Sequence, residues 1–170
     1  MTCLFECETD INWDFDYMRL FEASCNAVLE AEKCPYEVTV SMLITDDEGI
    51  RQINKDSRNI DSPTDVLSFP MVDYTTPSDF SHLEEDGNNF DPESGELILG
   101  DIVISAERIA AQAEEFGHDL QREFAHLTVH SMLHLCGYDH MNDNDREQME
   151  GRQKIIMESL YDDFPKLKVE

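Results

Sequence analysis

The chain has 170 residues, with 38 Asp and Glu against 12 Lys and Arg, giving a net charge of −26 at pH 7. That length suits one domain with a sizeable core, and a 41% hydrophobic share with nine Phe excludes a disordered chain. Its apolar runs fall far short of the roughly 20 residues that span a bilayer. A pI near 4.2 stands against the basic surface of a nucleic-acid binder, for which pI is typically above about 9.

Thr2–Glu8 alternates as a strand, and Asp14–Glu32 places Met18, Phe21, Cys25 and Val28 at helical spacing. Glu37–Thr45 alternates again, with Val38, Val40, Met42 and Ile44 on its more apolar face. Asp46–Ser57 reads as a short polar helix. Asp65–Phe69 reads as a short strand stopped by Pro70, which favours a sheet edge. The β-branched run Glu96–Ser105, ELILGDIVIS, is expected to be the central strand. Helices follow at Ala106–Phe116, Leu120–Cys136 and about Asp143–Tyr161, the last opening on Asn144 with Glu147 three residues on, a capping-box pattern. The order predicts a single α+β (mixed α/β) domain over 1–170, a small mixed four-stranded sheet with helices packed on it.

The acid is unevenly spread. From Asn59 to Glu107 there is no Lys or Arg but there are twelve carboxylates. Within this stretch, Val72–Glu96 is rich in Ser, Asp, Asn, Pro and Gly, and is expected to be a long, mobile, acidic surface loop or flap. MTCLFECETD lacks a basic n-region and is not expected to act as a signal peptide. Five Cys without a CxxC pair suit free thiols in a reducing cytoplasm.

The helix Leu120–Cys136 is apolar nearly all round after its first turn, as buried helices are, yet it carries three His. The run reads H126-L-T-V-H130-S-M-L-H134-L-C-G137-Y-D-H140. His130 and His134 stand at i and i+4 and leave one helix face a turn apart, the spacing by which two imidazoles share one metal ion. Gly137 suits the left-handed residue that ends a helix, and the reversal returns His140 to the same point. Three neutral imidazoles leave one tetrahedral position open, the form of a catalytic rather than a closed structural zinc site. His126 lies about 12 Å along the axis from His134 and cannot share that ion with it, so it is a neighbouring or substrate-side group, or simply a hydrogen-bonded helix His. Asp139 is a candidate to orient a ligand imidazole or to cap its own loop, and Cys136 falls on another helix face. The same spacing serves metzincin-type zinc proteases, whose HExxHxxGxxH motif needs a Glu as general base. Ser131 stands there instead.

These residues make the chain resemble the YbeY family of bacterial endoribonucleases, which act in ribosomal RNA maturation. Three segments carry the resemblance, in the family's order and spacing. They are N54-K-D-S-R58-N-I-D-S-P-T64-D-V-L-S-F-P70, L99-G-D-I-V-I-S105 and the His126–His140 run, with Ser131 where Gly is common. The resemblance implies a zinc-dependent, single-strand-directed endoribonuclease that matures the 3′ end of small-subunit RNA and serves ribosome quality control. It puts the metal ligands on His130, His134 and His140 and the functionally important arginine on Arg58. A guanidinium suits that role, since it meets the charge that builds on a phosphodiester with two parallel hydrogen bonds. Arg51, Lys55 and Arg58 fall on one stripe of the predicted helix. Nickel and copper also accept three imidazoles.

A metzincin-like metalloprotease and a non-catalytic, zinc-stabilised ribosome-associated factor are the alternative readings. RNA, reached through the ribosome or a protein, is the expected partner; no membrane and no DNA are expected. The charge of −26 then predicts weak affinity for bare RNA, since counterion release from a basic surface is missing, while a bound dication adds charge where a phosphate must lie.

Overall fold

Four strands pair into one mixed sheet in a computed structural model that describes residues 1–168. They are β1 (Thr2–Cys7), β2 (Val38–Thr45), β3 (Val66–Pro70) and β4 (Leu97–Ser105), in the spatial order β1-β2-β4-β3. β1, β2 and β4 run parallel, and β3 lies antiparallel to β4 at the edge. Pro70 explains that edge, because it lacks the N–H a central strand would need. β4 is interior and buried on both faces except at the exposed Asp101 and the half-buried Ile98, as suits a parallel strand rich in Leu, Ile and Val.

Helices α1 (Tyr17–Ala31), α2 (Asp47–Arg58), α3 (Ala106–Phe116), α4 (Leu120–Leu135) and α5 (Asp143–Ser159) complete the α+β domain. Strand alternation sorts the core. Val40, Met42, Ile44, Ile102 and Ile104 join the main cluster with α1, α4 and α5, while Leu43, Leu67 and Val103 turn to the other face and meet Ile50 of α2. α4 sits close on the sheet at Gly100, where a Cβ would come within 2.8 Å of Leu135 Cδ2 and 2.4 Å of the Phe69 carbonyl. Trp13, Phe15 and Tyr17, ahead of and opening α1, pack their rings on Phe124 of α4 with centroids 5.4, 5.9 and 6.3 Å away.

Two expectations change. α5 starts at Asp143 as expected, but its cap is Asn142, whose side chain accepts from Asp145 N–H at 2.9 Å, and not the Asn144 of the capping-box pattern. The first half of 72–96 is not a free flap, because Val72, Phe80 and Leu83 are buried and Ser78 N–H donates to the Cys136 carbonyl at 2.8 Å. Glu32, which caps α1 and is buried, gathers these pieces. It accepts from Ser78 Oγ at 2.7 Å, Tyr138 OH at 2.5 Å and Arg152 Nε at 2.9 Å. Glu32→Ala leaves the Arg152 guanidinium without its carboxylate and two hydroxyls without an acceptor, and is expected to cost about 3 kcal/mol. Urea unfolding measures this, and a loss below about 1 kcal/mol would show that the network is not what ties α1, α5 and the 72–83 segment together.

Candidate metal centre

Between Glu123 and Cys136 every residue of the α4 region is buried except His126, His130 and His134, which form its one partly open stripe. The helix then ends in a Schellman motif: Tyr138 N–H donates to the Leu133 carbonyl and Gly137 N–H to the His134 carbonyl, both at 3.0 Å. Gly137 has φ +99°, and the Tyr74 ring lies against it, so a Cβ there would meet Tyr74 Cδ2 at 2.9 Å. The turn brings His140 back, so that one nitrogen from each of His130, His134 and His140 lies within 4.8 Å of the others. His126 is not in this cluster; it opens on a separate cleft of about 390 Å3 between α4 and α5, with Lys154 and Tyr161.

Hydrogen bonds assign the tautomers. His134 Nδ1–H donates to the Tyr138 carbonyl at 2.9 Å, and His130 Nδ1 faces Gln153 Oε1 at 3.5 Å. His134 Nε2 then carries a lone pair, and it faces His130 Nε2 at 3.1 Å. A shared proton or a cation accommodates that approach, and with a His140 nitrogen also within 4.8 Å the three neutral imidazoles are a donor set that fits a metal ion. Burial, with the neighbouring His134 next in weight, pushes His130 down to about 4, and burial also lowers His134; these two imidazoles are neutral and free to ligate at pH 7. Asp139 does not orient an imidazole. Its carboxylate accepts from His140 N–H at 2.8 Å, a loop cap, and the Tyr138 carbonyl holds His134 in its place.

The cluster lies in an open groove of about 600 Å3 bounded by the C-terminus of α2, β3, residues 72–74 and the turn 137–140. Arg58, the last residue of α2, stands in its wall. It makes no hydrogen bond or ion pair among the described residues. Arg51 differs from the expected basic stripe, because Glu48 and Asp61 both pair with it. Asp65, Asp73 and Asp139 also line the groove, so the protein offers one guanidinium against three carboxylates there. Ser131, at the proteases' Glu position, is fully buried and its Oγ lies 2.5 Å from Ser68 Oγ on β3, turned away from any substrate. Gln153 had escaped the sequence reading, although a polar residue on the α5 face shared by Met149 and Ile156 was a legible signal.

Comparison with known proteins places this arrangement. The family model described as Endoribonuclease YbeY matches residues 5–161. A Lachnoclostridium phytofermentans protein named Endoribonuclease YbeY is 50% identical over 95% of this chain and 98% of its own. One of the same name from Agathobacter rectalis is 50% identical over 94% and 98%. The solution structure of a Thermotoga maritima protein shares the fold, with TM-score 0.60 at 23% identity over 99% of this chain and 97% of that one. Family model, relatives and fold agree: the chain belongs to the YbeY endoribonuclease family.

Proposed function

We propose that the protein is a zinc-dependent endoribonuclease that cuts single-stranded RNA, acting in the cytoplasm on the 3′ end of small-subunit ribosomal RNA and in ribosome quality control. His130, His134 and His140 hold the ion, and Arg58 meets the charge that builds on the scissile phosphate. The observation that carries the reading is the convergence of one nitrogen from each of His130, His134 and His140 within 4.8 Å in the groove that Arg58 also lines. A dication bound there supplies Lewis acidity and positive charge at the point a phosphodiester must occupy.

The rest falls to the chain's own residues. The Tyr138 carbonyl and Gln153 keep the two helix imidazoles in the ligating tautomer. Arg58, at the α2 terminus and without a partner among the described residues, takes two phosphate oxygens. Three carboxylates on the same walls repel a polyanion, which makes RNA entry depend on the ion and delivery depend on the ribosome or a protein partner. A metalloprotease lacks a base here, since Ser131 is buried against Ser68. A closed structural site would need a fourth donor beside the three imidazoles.

Purified protein is expected to cut single-stranded RNA, to lose cutting with a chelator and to regain it with Zn2+ better than with Ni2+ or Cu2+. Peptide cleavage in place of RNA cleavage would overturn the reading. The product ends identify the nucleophile: a 2′,3′-cyclic phosphate, or the 2′- or 3′-phosphate its hydrolysis leaves, goes with attack by the RNA 2′-OH, and a 5′-phosphate with a 3′-OH marks solvent.

A further inference from the structure

The ladder between β3 and β4 decides which main-chain groups of β3 face the groove. The Asp65 carbonyl accepts from Ser105 N–H at 3.0 Å, and Met71 N–H donates to the Leu99 carbonyl at 3.0 Å. Antiparallel pairing alternates, so with the observed register Asp65, Leu67, Phe69 and Met71 bond to β4, while Val66, Ser68 and Pro70 turn their main-chain groups to the open edge. That edge lines the groove holding the histidine cluster and Arg58.

Two of its three donors are missing. Pro70 has no N–H, and Val66 N–H is taken by the Asp65 carboxylate at 2.7 Å. Ser68 N–H is therefore the one main-chain donor that β3 leaves open, and it meets no acceptor among the described residues. The Ser68 side chain cannot use it, because Oγ points inward to Ser131 Oγ at 2.5 Å, beside His130 in the chain. An extended peptide adding to the sheet would need a donor at each outward residue, so this edge is closed to strand addition. It is open to one isolated acceptor, the demand that a single phosphate oxygen makes.

We propose that the Ser68 main-chain N–H donates to a non-bridging oxygen of the RNA phosphate held in the groove, a third contact beside Arg58 and the ion, with the Ser68–Ser131 hydroxyl pair fixing the strand that presents it. This rests on the endoribonuclease reading. It needs the N–H and not the hydroxyl, which a pair of variants separates. Ser68→Ala removes the hydroxyl alone. Ser68→Pro removes the N–H as well, at an outward edge position like that of Pro70, where no ladder bond is lost.

With the zinc-loaded proteins, kcat/KM for a single-stranded RNA is expected to be at least about tenfold lower for Ser68→Pro than for Ser68→Ala, with equal zinc content and with binding of a non-cleavable RNA analogue to the zinc-loaded proteins weakened in the same order. Replacing Ser68 by its α-hydroxy analogue makes a backbone ester that removes the N–H without the proline ring; if Ser68→Pro fails to fold, the ester decides, and it should fall likewise. Ester and Ser68→Pro proteins that cut as Ser68→Ala does would overturn the proposal while leaving the nuclease reading intact. A wild-type protein that cuts no RNA would overturn the nuclease reading and this inference with it.

Discussion

His134→Ala is expected to lose the bound zinc and to lower RNA cleavage at least about a hundredfold. His134 is the proposed ligand whose orientation is fixed best, with Nδ1–H donating to the Tyr138 carbonyl at 2.9 Å and Nε2 toward His130. Removing it leaves His130 on the helix and the exposed His140 on the turn, too few to hold an ion between them against solvent. His134 is only partly buried, so the metal-free variant should stay folded and melt within a few °C, roughly, of metal-free wild type. Zinc should raise the melting temperature of wild type and not of the variant, because binding to the native state alone stabilises it. Zinc content, melting curves and cleavage on protein cleared of contaminating nuclease check the three statements. Cleavage retained by a zinc-free His134→Ala would remove the metal from the mechanism.

Arg58→Ala is expected to reduce kcat about a hundredfold with zinc content unchanged, since Arg58 lines the groove without being a ligand. Arg58→Lys should restore only a small part, because an ammonium cannot make the two parallel hydrogen bonds of a guanidinium. The helix itself should be indifferent, as Arg58 sits in its exposed last turn. A kcat equal to wild type in the alanine variant would sink the assignment. A loss confined to KM would make Arg58 a docking contact rather than a group that acts on the transition state.

Much of this was written in the residues. Alternation and i, i+3, i+4 spacing marked the strands and helices, because a half-buried element repeats its period, and Pro70 marked the edge of the sheet. The His130–His134 spacing and Gly137 showed how three imidazoles could meet, since both are local geometry. What stayed hidden depends on contacts distant in sequence. Nothing near Arg51 shows that Asp61 neutralises it, and nothing in an irregular acidic segment shows that Val72, Phe80 and Leu83 are core residues. The Tyr138 carbonyl is a main-chain group, so no side chain advertises its hold on His134. Asp139, the legible neighbour, drew the reading instead.

The strand order also dictates when this molecule becomes whole. β2 pairs on its inner side with β4, Val38 opposite Leu97, so the first half of the chain makes a two-stranded parallel pair and nothing more until β4 arrives. Such a pair, with one apolar face uncovered, has little independent stability. During synthesis from the N-terminus, β1, α1 and β2 therefore wait, and closure of the sheet is a late, non-local and slow event. His140 emerges later still, so the three imidazoles can meet only in a chain that already contains all four strands.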